Sequence, residues 1–169
     1  MTTFLNKRSI STMNNKSYIA FCDGSCQLDN KGNNVGGYGA VIYDQNHIKI
    51  KELKQGYYNT TNNRQEIMSV LAVLEYFTEP VKISFFCDSQ YVLNTIEKGW
   101  AKKWFENQDY SKKNLDLWYK IINLVEFHDC EWNWVKGHNN NPGNERANFL
   151  AQFAARCLNL PKDECTTNF

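Results

Sequence analysis

Two β-rich runs, each ending in an aspartate and separated by a helical stripe, constrain this chain more than any other feature. Tyr18 to Ser25 is β-branched and aromatic, and it gives way to a turn at Cys22-Asp23-Gly24-Ser25-Cys26. Lys82 to Cys87 repeats the pattern and ends in Asp88, followed by Ser89 and Gln90. Between them Ile67, Val70, Leu71, Leu74 and Phe77 recur at the 3.6-residue helical period, and Pro80 ends the helical region. A strand–helix–strand unit of this kind closes as a right-handed crossover with its strands parallel. That crossover brings Asp23 and Asp88 together at the carboxyl ends of adjacent strands, where open α/β sheets bind ligands.

Asp23 is the expected centre of the site, because a strand end can fix a carboxylate while its oxygens face an open cleft. Taken alone, Asp23-Gly24 is an ordinary turn signal. Glu66, near the start of the helix, is alone a surface acid favoured by the helix dipole. Placed together, Asp23, Glu66 and Asp88 repel one another and raise each other's pKa unless a cation intervenes, so the set implies bound metal. Ligation by oxygen alone favours Mg²⁺ or Mn²⁺ over zinc.

The other segments place further polar groups near that face. Gln27 to Gly37 is turn-rich and reads as a hairpin loop into a second strand, Tyr38 to Tyr43. Gly36, Gly37 and Gly39 do not read as a phosphate cradle, since no helical pattern follows and the Walker lysine is missing. His47 to Tyr57 alternates Ile48, Ile50 and Leu53 with lysines, as an exposed edge strand does. Thr60 to Glu66 opens the helix, with Asn62 and Gln65 placed for a capping box.

Tyr91 to Phe105 is expected to be helical, and it mixes Lys98, Lys102 and Lys103 with Trp100 and Trp104. Such a mixture suits a phosphate backbone running over aromatic faces, although tryptophan is equally a core residue. Leu115 to Val125 reads as a packing helix with Leu115, Trp118, Ile122 and Val125 on one face. Glu131 to Lys136 reads as a fifth strand running into a loop, Gly137 to Gly143, that contains His138. A last helix starting near Asn144 buries Ala147, Leu150, Ala151 and Ala154, with Asn148 at its start. Pro161 breaks any helix beyond Leu158.

At 169 residues the chain fits one domain with one core. Its 19 basic and 18 acidic residues exclude a general polyanion binder, so any nucleic-acid contact has to come from a local patch. The six cysteines show neither zinc spacing nor a secreted disulfide framework, which points to free thiols in a reducing, cytoplasmic compartment. No apolar run approaches the ~20 residues needed to span a bilayer. Residues 1–17 read as a disordered tail, or as an organellar transit peptide, since Met1 to Lys16 is basic and lacks acids. Residues 18–158 form the expected domain and 159–169 a flexible tail.

Six motifs in order carry a resemblance: DGSC at 23–26, GGYGA at 36–40, TTNNRQE at 60–66, DSQYV at 88–92, WVKGH at 134–138 and GNERAN at 143–148. Together they resemble ribonuclease H of type 1 over Tyr18 to about Cys157. The resemblance implies an α/β, ribonuclease H-like fold: a five-stranded mixed sheet, three strands antiparallel and two parallel, flanked by helices. It also implies hydrolysis of the RNA strand of RNA–DNA hybrids by a monomer with two Mg²⁺ ions, leaving 5′-phosphate and 3′-hydroxyl ends. By that likeness Asp23, Glu66 and Asp88 are metal ligands, Asp23 bridges the ions, and His138 assists water activation or product release. Asn62, Asn63 and Gln90 match residues that read the RNA 2′-hydroxyl and base edges in the minor groove. Thr61 and Asn114 match a pocket for a DNA-strand phosphate, and Trp100 and Trp104 match an aromatic DNA channel.

Two departures stand out. The basic protrusion expected after Trp104 is shortened to Phe105-Glu106-Asn107-Gln108-Asp109-Tyr110, with acids in place of lysines. Asn148 stands where the family has a fourth carboxylate that ligates the water-activating ion. An Asn carbonyl can touch Mg²⁺ but brings no charge. Two functions follow: a hybrid endonuclease that tolerates or is impaired by Asn148, and a catalytically silent hybrid binder. A transposase or integrase nuclease on the same fold is disfavoured by the Asn62-Asn63 pair.

Overall fold

The computed structural model describes residues 16–137 and 140–165; the expectations for residues 1–15 and for His138 lie outside the described residues. The chain forms β1 (Ser17–Leu28), β2 (Asn34–Asp44), β3 (Lys49–Tyr58), α1 (Asn62–Tyr76), β4 (Lys82–Cys87), α2 (Gln90–Glu97), α3 (Trp100–Glu106), α4 (Leu115–Phe127), β5 (Asp129–Trp134) and α5 (Pro142–Ala155). The five strands make one sheet in the order β3-β2-β1-β4-β5. The first three are antiparallel neighbours, while β4 runs parallel to both β1 and β5.

The crossover expected from the sequence is present. β1 and β4 pair from Ser17 with Lys82 to Cys22 with Cys87, so Asp23 and Asp88 are the next residue on each strand. Alternation along β1 divides the sheet into two faces. Cys22 points to α1, where its thiol lies 3.7 Å from the Ser69 carbonyl oxygen, and Asp23 points to the other side.

On the α1 face Ile67, Val70, Val73 and Leu74 pack on Ala20, Ile42, Ile83 and Phe85, and α4 adds Trp118 and Ile121. Complete burial of each large side chain here contributes about 1.5–3 kcal/mol. Trp132 of β5 stacks on Phe85 with ring centroids 4.5 Å apart. The opposite face of β1, β2 and β3 is covered by α5 through Ala147, Leu150, Ala151 and Ala154, all buried as the sequence implied.

That α5 contact corrects the reading of residues 34–37. The hairpin loop spans only the residues between Leu28 and Asn34, and Gly36, Gly37 and Gly39 lie inside β2. They serve close packing, not a turn: a Cβ on Gly39 would lie 2.1 Å from the Ala147 carbonyl oxygen, and one on Gly37 2.6 Å from that of Ala151.

Other boundaries also move. The expected single helix from Tyr91 to Phe105 is two, α2 and α3, because Gly99 takes a positive φ of 63° between them. β5 begins and ends two residues earlier than its tryptophan pattern suggested, and α5 starts at Pro142 with Asn141 as its cap. Asn148 is therefore well inside α5 and not at its start. At α1 the cap is Thr61, whose hydroxyl accepts from the Arg64 N–H, so Asn62 and Gln65 form no capping box. Gln65 is instead buried and donates to Thr60 Oγ1 at 2.7 Å.

The segment after Leu158, expected to be a free tail, is docked as far as it is described. Tyr58 donates to the Pro161 carbonyl and Asp163 to the Tyr58 carbonyl, each at 2.9 Å, and Asp163 is buried against Arg64. A Pro stops a helix but does not prevent strand-like pairing at a sheet edge. Among the described residues no helix is long and apolar enough to cross a membrane.

Candidate metal centre and substrate face

Asp23, Glu66 and Asp88 come from three different elements, yet one carboxylate oxygen from each lies within 4.8 Å of the others. The sheet supplies two of them through the parallel register of β1 and β4. The third depends on Gly24. An added Cβ there would sit 2.3 Å from the Glu66 backbone nitrogen, so only glycine lets α1 descend onto the strand end. Glu66 is the fifth residue of α1, not part of its first turn, and its proximity to Asp23 owes more to this approach than to the helix dipole.

Electrostatics at the cluster match its donor set. Burial first, then the Asp88 charge, pushes Asp23 up to about 7, and the Gly24 N–H offsets this only in part. Burial, followed by Asp23 and Asp88, raises Glu66 well above the carboxylate range. Burial and like charge thus favour the protonated forms of Asp23 and Glu66, a cost that a bound cation relieves. Oxygen donors alone at this spacing fit a hard divalent ion, so the residues present suit a metal of the Mg²⁺ or Mn²⁺ type.

The remaining candidates surround this centre unequally. Asn62 is exposed and donates through Nδ2 to Glu66 Oε1 at 3.4 Å. Asn63 and Gln90 are exposed at the starts of α1 and α2. Thr61 is exposed beside them, and Asn114, at the start of α4, is 9 % exposed. Trp100 is 38 % exposed with Lys98 Nζ 5.0 Å from its ring centre. Trp104 is half-buried and packs against the core, so it combines a structural role with any contact it makes.

Asn148 is bonded within its own helix. Its Oδ1 accepts from Gln152 Nε2 at 3.1 Å on the same helix. The preceding residue, Ala147, packs over Gly39, which is the register partner of Asp23, and this places that stretch of α5 beside the Asp23 strand end.

Three contributors escaped the sequence reading. Glu145 adds a like charge at Asp23, smaller than that of Asp88; its place one helical turn before Asn148 was the available signal. A Cβ on Gly137 would lie 2.6 Å from Asp88 Oδ2, so the loop after β5 passes directly over that carboxylate. Trp134 donates from Nε1 to the Asp88 carbonyl at 3.2 Å and steadies the same corner. Neither contact has a local sequence signal.

A mixed α/β sheet with three acids converging at the carboxyl ends of its central strands defines a candidate divalent-metal site. The RNase H family model matches residues 15–156. The chain is 44% identical over 155 residues to the ribonuclease H of Desulforamulus reducens, covering 89% of this chain and 94% of that protein. It is also 44% identical over 148 residues to that of Pseudoalteromonas atlantica, covering 85% and 94%. Among solved structures, LC9-RNase H1, a type 1 RNase H with the type 2 active-site motif, superposes with a TM-score of 0.67 at 27% identity, covering 86% of this chain and 74% of that one. RNase H1 of Halobacterium salinarum, at 23% identity and a TM-score of 0.60 over 82% of this chain and 96% of that one, shares the fold. The chain belongs to the RNase H family, a family of metal-dependent nucleases.

Proposed function

We propose that the protein is an endonuclease that hydrolyses the RNA strand of RNA–DNA hybrids with two divalent cations, leaving 5′-phosphate and 3′-hydroxyl ends. The observation that carries this reading is the convergence of Asp23, Glu66 and Asp88 within 4.8 Å, with Asp23 pushed up to about 7. Those three residues, with the Asn148 carbonyl, would hold the ions. Bound there, the metal supplies Lewis-acid activation of the attacking water and charge stabilisation of the leaving 3′ oxygen.

The chain's own residues supply position and discrimination. Asn62, Asn63 and Gln90, exposed beside the acids, donate to and accept from the 2′-hydroxyl and the minor-groove base edges, which DNA cannot satisfy in the same way. Thr61 and Asn114 take a phosphate of the DNA strand, and the Lys98–Trp100 pair receives the backbone beyond it. His138 moves a proton at the reacting phosphate or helps the product to leave. A solved relative by fold, LC11-RNase H1, is known in complex with an RNA/DNA hybrid.

Asn148 tests the reading most sharply. A silent hybrid binder would have no use for three clustered, mutually repelling acids, two of them buried, whose assembly lowers stability without a cation. Incubation of the protein with labelled hybrid, duplex DNA and duplex RNA, each with Mg²⁺ or Mn²⁺, decides the matter. Metal-dependent cleavage of the RNA strand of the hybrid alone is expected. Tight hybrid binding with no cleavage in either metal would establish the silent binder, and cleavage of duplex DNA would establish a transposase-like nuclease.

A further inference from the structure

Arg64 lies on α1 with only 5 % of its surface exposed, and every arm of its guanidinium is engaged. Nη1 and Nη2 fork onto Asp116 at 2.9 and 2.8 Å, and Nε donates to Asp163 at 2.8 Å. Nη1 also donates to Asn114 Oδ1 at 3.3 Å. Two carboxylates on one cation exceed what neutrality asks, and Thr60 Oγ1 adds a further hydrogen bond to Asp163. Arg64 is thus held from two sides, by the start of α4 and by the segment after α5, in one orientation.

Asn114 shows what that orientation does. It occupies the cap position of α4, where an asparagine normally turns its oxygen onto a backbone N–H of the first turn. Here the side chain makes no capping bond, and the backbone is in the left-handed region at a φ of 61°. The oxygen goes to Arg64 instead. Among the described residues nothing accepts from its Nδ2 group. An amide pinned by its oxygen presents its N–H donors outward, while a free amide can turn either end to the surface.

We propose that Arg64, clamped by Asp116 and Asp163, is a positioning residue that fixes the Asn114 amide with its donors aimed at a DNA-strand phosphate. The inference rests on the reading of Asn114 as a phosphate contact. It makes the docked segment around Asp163 part of substrate recognition through Arg64. Oxygen outward, the same amide would meet the phosphate with a lone pair.

The test is a double-mutant cycle read as affinity for a fluorescent RNA–DNA hybrid in EDTA, so that cleavage does not intervene. Asn114→Ala is expected to weaken binding about tenfold, the loss of one hydrogen bond to a charged group. Arg64→Lys keeps the charge but cannot reach three partners at once, and a similar loss is expected. The double variant is expected to bind no worse than Asn114→Ala alone. Equal losses from Arg64→Lys in both backgrounds would overturn the proposal and leave Arg64 a purely structural residue. Undiminished binding by Asn114→Ala would instead overturn the phosphate reading itself, and the proposal with it. Asp163→Asn, which perturbs the clamp from outside α1, repeats the comparison should Arg64→Lys not fold, with the same two outcomes.

Discussion

Gly24 and Glu66 meet backbone to backbone: a Cβ on Gly24 would stand 2.3 Å from the Glu66 nitrogen and 2.6 Å from the Gln65 carbonyl carbon. This contact, more than any side-chain interaction, sets the distance between the carboxylates of α1 and β1. Gly24→Ala is therefore expected to push α1 off the strand end. Stability should fall by about 1–3 kcal/mol, the usual cost of overpacking a close contact, and Mg²⁺-dependent cleavage should fall by more than stability explains. Denaturant titration and initial rates on the same samples measure both. An unchanged rate would show that the backbone contact does not govern the acid spacing.

The metal-free protein should lose stability as pH rises through the acidic range. Asp23 goes from its ordinary value of 3.8 to about 7 in the fold, so between those values the folded state holds a proton that the unfolded state has released. Stability then decreases with rising pH across that window, and Glu66, raised in the same direction, adds to the slope. Asp116 acts oppositely and lower down: although burial works against it, hydrogen bonding to Arg64 lowers its pKa, so its contribution is lost only as pH falls through that depressed value. Thermal unfolding in EDTA between pH 4.5 and 7.5 should show a decline that Asp23→Asn flattens. Asp23→Asn should also abolish cleavage. Parallel profiles for the two proteins would remove Asp23 from the cluster's charge balance.

Asn148→Asp should raise the hydrolytic rate by an order of magnitude or more. The flanking Ala147, Leu150 and Ala151 are buried, which holds the helix in place, and an Asp oxygen can keep the hydrogen bond from Gln152. Geometry is retained and a negative charge is added on the stretch of α5 that passes the Asp23 strand end. Each ~1.4 kcal/mol of added transition-state stabilisation is worth tenfold. Hybrid affinity in EDTA should change little. Rates of the two proteins at matched Mg²⁺ provide the measurement, and equal rates would mean that three acids suffice.

Asn63→Ala combined with Gln90→Ala should weaken cleavage of the hybrid, through KM more than kcat, because both residues are exposed at the starts of α1 and α2 and neither belongs to the acidic cluster. The loss of two neutral hydrogen bonds corresponds to about 1–3 kcal/mol, or roughly tenfold or more in KM. A hybrid whose RNA carries 2′-deoxy substitutions at the contacted positions should show the parent protein the same deficit. Parent and variant alike in KM would place the 2′-hydroxyl reading elsewhere.

The sequence alone determined the parts of this protein that rest on local periodicity. The apolar stripe from Ile67 to Leu74 and the β-rich runs of β1 and β4 each carry their own burial pattern, and the handedness of a crossover is a general steric rule. From those, the meeting of Asp23 with Asp88 followed before any coordinates. Only the tertiary structure decided how closely the layers approach. Gly24 and Gly137 look in sequence like turn residues, and Gly36 and Gly37 like part of a loop, because a glycine's missing side chain does not say which distant backbone occupies its place. The same holds for Arg64 and Asp163, separated by 99 residues in sequence and 2.8 Å in space. No periodicity marks a residue whose partner is chosen by the packing of three other elements, and a segment after a helix-stopping proline carries no local sign that a buried guanidinium awaits it.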